Sequence, residues 1–449
     1  MRRIAVVCLA LASILPVGAM LSSEDSESLE HGARQLVAAM AARDFESVIE
    51  HFDPTMTEAL PASRLEVVWQ QITAAFGDLE DIDESRSEVA GPFRVVFIRC
   101  NFARGTLDAK VVYDSDERVA GLFFVPASPI PSPTPAQAAA PSSVAERPVT
   151  VGAEPWTLPG TLSLPSSDGP FPAVVLVHGS GPQDRDESIG PNKPFRDLAW
   201  GLAQRGVAVL RYEKRTKQYA EQMARAEELT VDEETVEDAR AAVHLLAGLA
   251  EIDSHRIVVL GHSLGGTLAP RIADGDPEIA GLIIMAGATR PLGELMVSQL
   301  EYLANLDGTV DSTEANRIEE AEQAAAAIAD PQLQPGDTVD VLGSKTPGSY
   351  WLDLRGYDPA QAAASLSLPI LILHGGRDYQ VGKADLQEWQ AALDGRPQVT
   401  IEIYPELNHL FMPGSGPSSP EEYATPGHVS SQVLDDIAGW IKGLGRVSR

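Results

Sequence analysis

The chain has 449 residues, 44% hydrophobic and 22% charged, which is typical of a folded globular protein with room for more than one domain. Its 34 basic and 64 acidic residues give a net charge of −30, which would repel phosphate backbones and argues against nucleic-acid binding. The sequence has no HExxH motif and no Cys/His cluster with metal-ligand spacing, so we expect no metal or other cofactor.

The first residues have the order of a secretory signal peptide. Two arginines precede an apolar run over residues 4–15, and residues 17–19 resemble a small-residue cleavage site. The run is too short to span a bilayer, and no later stretch is long and apolar enough to do so. We therefore predict that residues 1–19 are removed and that the protein is exported, to the periplasm or beyond, without a membrane span.

Residues 29–125 predict a small α+β domain. Apolar residues recur at helical spacing up to about residue 77, and four short runs rich in Val and Phe follow, with turn signals between them. This element order resembles the cone-shaped domains of the nuclear-transport-factor-2-like superfamily, which hold a ligand pocket or act as spacers. No catalytic residue stands out, so we expect a spacer. Residues 126–148, rich in Pro, Ala and Ser, predict an extended linker.

Residues 149–449 alternate between apolar strands and amphipathic helices. Uninterrupted apolar strands separated by helices are typical of a mostly parallel sheet covered on both faces, so the class is α/β. The alternation stops over residues 290–366, which predicts a helical cap inserted on the ligand side of the sheet. The predicted strands are 171–179, 207–212, 256–260, 279–287, 368–375 and 399–404, with helices at 197–206 and 230–249.

The stretch GHSLG, residues 261–265, fits the G-x-S-x-G pattern between a predicted strand and a predicted helix. In that position the pattern predicts a sharp turn that exposes the hydroxyl of Ser263 at the carboxyl edge of the sheet. The glycines at 261 and 265 are small because side chains there would collide. A serine hydroxyl is a weak nucleophile at neutral pH, so it needs a base and a carboxylate that orients the base.

Chain order and strand ends select those two partners. In this arrangement the acid follows the serine and the histidine follows the acid. Asp378 comes directly after the fifth predicted strand, and His409 lies in the loop after the sixth. His428 is the main competing base, because it lies in a Pro/Gly-rich loop before the last helix. The competing acids lie in the predicted cap and are Asp353 and Asp358.

Two backbone N–H groups are needed to hold the oxyanion of an acyl-transfer intermediate. The first candidate is the N–H of Leu264, directly after the nucleophile. The second is expected from the glycine-rich loop after the first predicted strand, where Ser180 is preferred and Gly181 is the alternative. The large side chains of the cap are tentative substrate contacts, namely Tyr350, Trp351 and Leu352. Arg211 and Arg215 are expected to form structural ion pairs.

The C-terminal part of the chain resembles a family of exported bacterial α/β-hydrolase esterases and, beyond it, the related dipeptidyl-peptidase and acyltransferase branch. The resemblance rests on HGSGPQDRDESIGPNKPFRDLAWGLAQRGVAVLRYEKRT, VLGHSLGG, SYWLDLRGYDP and GGRDYQV…LNHLF. It covers about residues 148–445 and implies an α/β-hydrolase fold that hydrolyses small carboxylic esters with Ser263, Asp378 and His409. The alternatives are a serine peptidase, an acyltransferase or thioesterase of the same superfamily, and a non-enzymatic ligand-binding module.

Overall fold

The computed structural model describes residues 23–90, 93–126, 140–226 and 229–445. The predicted signal peptide and most of the predicted linker lie outside these ranges. The chain divides into two compact units, one on each side of the linker, and each has its own hydrophobic core.

The N-terminal unit consists of helices followed by a four-stranded antiparallel sheet in chain order, as predicted for a small α+β domain. One face of α1 packs into the core through Ala33, Leu36, Val37 and Met40. The elements are α1 Ser23–Ala41, α2 Phe45–Ile49, α3 Pro54–Ala59, α4 Ala62–Phe76, β1 Leu79–Ala90, β2 Phe93–Phe102, β3 Gly105–Tyr113 and β4 Val119–Pro126.

The C-terminal unit is built on an eight-stranded sheet with the order β14-β13-β10-β9-β7-β8-β6-β5. The six strands from β14 to β8 run parallel, and the last two pair antiparallel. The strands are β5 Val144–Val151, β6 Leu158–Pro165, β7 Phe171–Val177, β8 Ala208–Tyr212, β9 Ile252–His262, β10 Ile279–Met285, the hairpin β11 Thr338–Val341 and β12 Ser344–Pro347, β13 Ile370–Gly375 and β14 Val399–Tyr404.

Alternation along the central strands divides the core into two layers. In β7 every residue is buried, and Val174 and Leu176 face one layer while Val175 and Val177 face the other. Helices α5 and α15 cover the first layer, and α8 and α9 cover the second. This arrangement confirms the predicted α/β class with helices on both faces of the sheet.

The helices of this unit are α5 Pro194–Gln204, α6 Arg215–Gln218, α7 Ala220–Ala224, α8 Glu237–Ala247, α9 Leu264–Ala273, α10 Leu292–Ala304, α11 Ser312–Ala329, α12 Gly348–Arg355, α13 Pro359–Ser365, α14 Lys383–Leu393 and α15 Ser431–Gly443. A π-helical turn, Asp232–Val236, precedes α8, and a 3₁₀ turn spans Pro420–Ala424. Helices α10 to α13 and the hairpin lie between β10 and β13, where the sequence analysis places a cap.

The structure corrects one boundary and adds a hairpin that the sequence did not predict. Strand β5 begins at Val144, so the end of the segment predicted as linker, 126–148, belongs to the sheet. Pro148 conceals this strand in the sequence, but β5 is the outermost strand of the sheet, where a residue without an N–H is tolerated. The hairpin β11–β12 was not predicted, because its four-residue strands are too short for a periodic pattern to show.

Because every candidate catalytic residue lies in the C-terminal unit, that unit should be sufficient for the chemical step. A chain that begins at residue 140 is expected to keep kcat within about tenfold of the full protein, which corresponds to a barrier change below about 1.4 kcal/mol. The measurement is kcat on an activated ester, with circular dichroism to verify folding. A folded but inactive truncated protein would show that the N-terminal unit contributes to the site.

Candidate active site

Ser263 lies on a tight turn between β9 and α9, as its flanking glycines predict. Its backbone has φ 52° and ψ −118°, which side-chain-bearing residues rarely adopt and which is typical of strained functional positions. A Cβ at Gly261 would overlap the carbonyl oxygen of Gly265, and one at Gly265 would overlap that of Val177. Only glycine fits at either position, so the turn brings Ser263 against the end of β7.

Asp378 and His409 are brought together by the loops after β13 and β14. The Nδ1 of His409 is 2.7 Å from Oδ2 of Asp378, and both residues are buried. The other oxygen of Asp378 accepts hydrogen bonds from the N–H groups of Gln380 and Val381, at 2.8 and 2.9 Å. The carboxylate is therefore fixed in position, and it engages Nδ1 of the imidazole rather than Nε2.

His409 is held against the turn that carries Ser263. The ring of His262 lies 4.7 Å from the ring of His409, centroid to centroid, and the Nε2 of His262 is 3.0 Å from the backbone oxygen of His409. Asn408 shapes the same loop, because its Oδ1 accepts from the N–H groups of Leu410 and Met412. Sequence reasoning missed both supporting residues, His262 and Asn408.

The competing residues are engaged elsewhere. His428 has a side chain that is 79% exposed and pairs with Asp197 of α5 at 3.1 Å. Asp353 pairs with Arg271, and Asp358 caps the N-terminus of α13. The structure therefore brings together the predicted pair and separates its competitors from it.

The candidate oxyanion donors lie on either side of Ser263. Leu264 is the first residue of α9, whose N-terminus carries partial positive charge. Across from it, a Cβ on Gly179 would lie 3.2 Å from Cβ of Ser263, so the loop that contains Ser180 and Gly181 packs on the serine. Among the described residues, none accepts a hydrogen bond from the N–H of Leu264, Ser180 or Gly181. None of these three N–H groups is therefore engaged by the part of the chain that the structure describes.

Two buried ion pairs contact the loop that contains Ser180 and Gly181, each through the backbone of Gly179. Sequence reasoning missed both pairs. Glu187 pairs with His262, 2.9 Å between Oε2 and Nδ1, and Lys214 pairs with Glu234, 2.8 Å between Nζ and Oε1. Burial alone would lower the pKa of His262, but the carboxylate of Glu187 outweighs it and raises that pKa. Burial alone would likewise raise the pKa of Glu187, but His262 lowers it. Both members of this pair therefore favour the charged form.

The predicted substrate contacts of the cap are mostly inside the protein. Tyr350 and Trp351 are buried in the core of the C-terminal unit, and the hydroxyl of Tyr350 donates to Glu234 at 2.9 Å. Leu352 lines an open cavity of about 530 Å³ beside Arg271, which lies roughly 10 Å along α9 from its first residue. These positions lend the contact prediction no support, and it stays a prediction.

The two arginines expected in structural ion pairs do form them. Arg211 pairs with Glu146 and Asp186, and Arg215 pairs with Asp238 at 2.6 Å. Burial raises the pKa of Asp238 to about 6, against the opposing effect of Arg215. These pairs join β8 to β5 and to the loop after β7, and α6 to α8.

Among the described residues, no group of three His, Cys, Asp or Glu side chains is placed to hold a metal ion. The same residues include no helix long and apolar enough to cross a membrane.

Comparison with known proteins places the chain in a family. Residues 170–413, more than half of the chain, match the family model described as serine aminopeptidase, S33. The chain belongs to the S33 family. Its N-terminal unit matches, over residues 33–122, a family described only as protein of unknown function (DUF3887).

Individual relatives of this S33 protein carry several names. Esterase EstD of Thermotoga maritima is 38% identical over 405 residues, 90% of this chain and 93% of that protein. A monoacylglycerol lipase of Mycolicibacterium smegmatis is 28% identical over 222 residues, 46% of this chain and 69% of that protein. Among solved structures, Est1E from Butyrivibrio proteoclasticus is 17% identical, with a TM-score of 0.43 over 66% of this chain and 99% of that one.

The site geometry makes a prediction about which residues act together. Ser263→Ala and His409→Ala should each lower kcat on an activated ester by about 10⁴-fold or more, and the double variant little further, because such residues act as a unit. Asp378→Asn should cost somewhat less, since nucleophile and base remain. His428→Ala should change kcat by less than about tenfold, because that ring pairs with Asp197 at the surface. An inactive His428→Ala protein beside an active His409→Ala protein would contradict the assignment.

Proposed function

We propose that this protein is a serine carboxylesterase that hydrolyses small or short-chain carboxylic esters through an acyl-enzyme on Ser263. The observation that carries the proposal is the 2.7 Å bond between Asp378 and His409, held against the strained turn of Ser263. The 38% identity to Esterase EstD, over nine-tenths of both chains, supports ester hydrolysis as the reaction.

The proposed mechanism gives each of these groups one role. Nε2 of His409 takes the proton of the Ser263 hydroxyl as its oxygen attacks the ester carbonyl, and Asp378 stabilises the imidazolium that forms. The N–H of Leu264, with that of Ser180 or Gly181, holds the oxyanion, an interaction commonly worth a factor of about 100 to 1,000 in rate. His409 then protonates the departing alcohol and later activates the water that releases the acid.

Features of the cap and of the exposed surface support the proposed preference for small substrates. Helix α10 is fixed to the loop that carries Asp378, because Tyr302 stacks on Tyr379 at 5.1 Å between ring centroids and Gln299 donates to the backbone oxygen of Gln380. The exposed large hydrophobic residues of the described C-terminal unit are few, which does not suggest a broad lipid-binding face. They are Leu306, Val310 and Ile403.

A panel of p-nitrophenyl esters of increasing chain length, run beside aminoacyl-p-nitroanilides, tests the proposal. We expect the largest kcat/KM on acetyl or butyryl esters, with Ser263→Ala as the inactive control. Faster hydrolysis of long-chain triglyceride emulsions would exclude the preference for short acyl groups. Faster cleavage of the anilides would instead support the peptidase alternative that the family description suggests.

We also propose that the protein is exported after cleavage near residue 19. The charged, apolar and small-residue order of the first residues supports this proposal. N-terminal sequencing of protein recovered outside the cytoplasm should begin near Met20, whereas an intact Met1 on exported protein would contradict it.

A further inference from the structure

Lys214 is a buried lysine whose contacts converge on the loop beside Ser263. It lies two residues after β8, and its side chain is only 2% exposed. Its Nζ donates to the backbone oxygen of Gly179 at 2.8 Å and pairs with Oε1 of Glu234 at 2.8 Å. A buried ammonium group is costly unless it is paired and hydrogen-bonded, and Lys214 satisfies both conditions here.

The bond from Lys214 fixes the orientation of one particular peptide. The oxygen of Gly179 and the N–H of Ser180 belong to the same planar trans peptide, so they point in opposite directions. With that oxygen held by Lys214, the N–H of Ser180 faces away from the ammonium group. On the other side of Gly179, its own N–H donates to Oε1 of Glu187 at 2.7 Å. Charged side chains therefore fix both peptides that meet at Gly179.

The charge on Lys214 also affects the donor strength of this peptide. A cation bound to a carbonyl oxygen polarises the amide and makes its N–H a stronger donor, and this effect is larger in a buried, low-dielectric setting. The N–H of Ser180 lies in the loop that packs on Ser263, and no described residue accepts a hydrogen bond from it.

We propose that Lys214 is a positioning residue of the oxyanion hole, which orients and polarises the Gly179–Ser180 peptide so that the N–H of Ser180 receives the oxyanion formed at Ser263. Glu234 keeps Lys214 in place, and Tyr350 of cap helix α12 holds Glu234 through its other oxygen. Through Tyr350, the cap thereby contributes to the oxyanion hole. The inference rests on the proposed function in requiring an oxyanion at Ser263, although not on the identity of the ester.

The test compares Lys214→Met with the double variant Lys214→Met/Glu234→Gln. The single variant leaves Glu234 buried without its cation and is expected to be less stable, whereas the double variant removes both charges and should recover much of that stability. If Lys214 acts on the oxyanion peptide, both variants lose at least tenfold in kcat while KM stays within about threefold. The inhibition constant of a trifluoromethyl ketone, which forms a tetrahedral adduct with serine, should rise as kcat/KM falls.

Lys217→Met is the matched control, since it removes a lysine charge three residues later, within α6, and should leave kcat unchanged. Lys214→Arg keeps the charge and should retain more activity than Lys214→Met. A double variant with the kcat and ketone affinity of the unmodified protein would overturn the proposal and reduce Lys214 to a structural ion pair.

Labelling of Ser263 by a fluorophosphonate gives a rate that needs no ester substrate. If the unmodified protein cleaves no ester, the proposed function fails, while slower labelling of the double variant still supports the role of Lys214.

Discussion

Ser263 can lie against the loop after β7 only because neighbouring positions carry no side chain. Gly261 and Gly265 contact backbone so closely that a Cβ at either would overlap a carbonyl oxygen, and Gly179 allows the loop to approach the serine. The parallel pairing of β7 with β9 brings both strand ends to the same edge of the sheet. This close approach places the proposed nucleophile beside N–H groups that no described residue accepts from, and the proposed roles of His409 and Asp378 depend on it.

Buried charges then hold this edge in place. In a chain with a net charge of −30, most acidic residues can remain in water, yet Glu187 and Glu234 lie inside, where Glu187 pairs with His262 and Glu234 pairs with Lys214. Isolated buried charges would be strongly unfavourable, and even paired ones contribute little to stability relative to apolar residues. Their concentration around Gly179 and His262 is best explained by the orientation they impose on the reacting groups, as expected where backbone dipoles must be aligned before the reaction begins.

The sequence was sufficient to predict the residues that are placed by chain order and strand ends. Each of the three follows a strand that can be recognised from its apolar pattern, namely Ser263 after β9, Asp378 after β13 and His409 after β14. The topology of the sheet therefore brings them to one edge. The supporting residues could not be predicted in this way. Lys214 and Glu187 belong to charged stretches, YEKRT and DRDES, that are indistinguishable from solvated loops until the fold buries them. The opposite holds for Tyr350 and Trp351. Their size and their place in the predicted cap suggested substrate contacts, but the fold buries both side chains.

The most direct test of this account is a crystal structure of the protein with Ser263 phosphonylated by a fluorophosphonate, since the phosphonyl oxygen stands in for the oxyanion. The account predicts that this oxygen accepts hydrogen bonds from the N–H groups of Leu264 and Ser180 at about 2.7–3.1 Å, with Lys214 still bound to the oxygen of Gly179. A phosphonyl oxygen that points away from both N–H groups, or a phosphonyl group on a different serine, would contradict it.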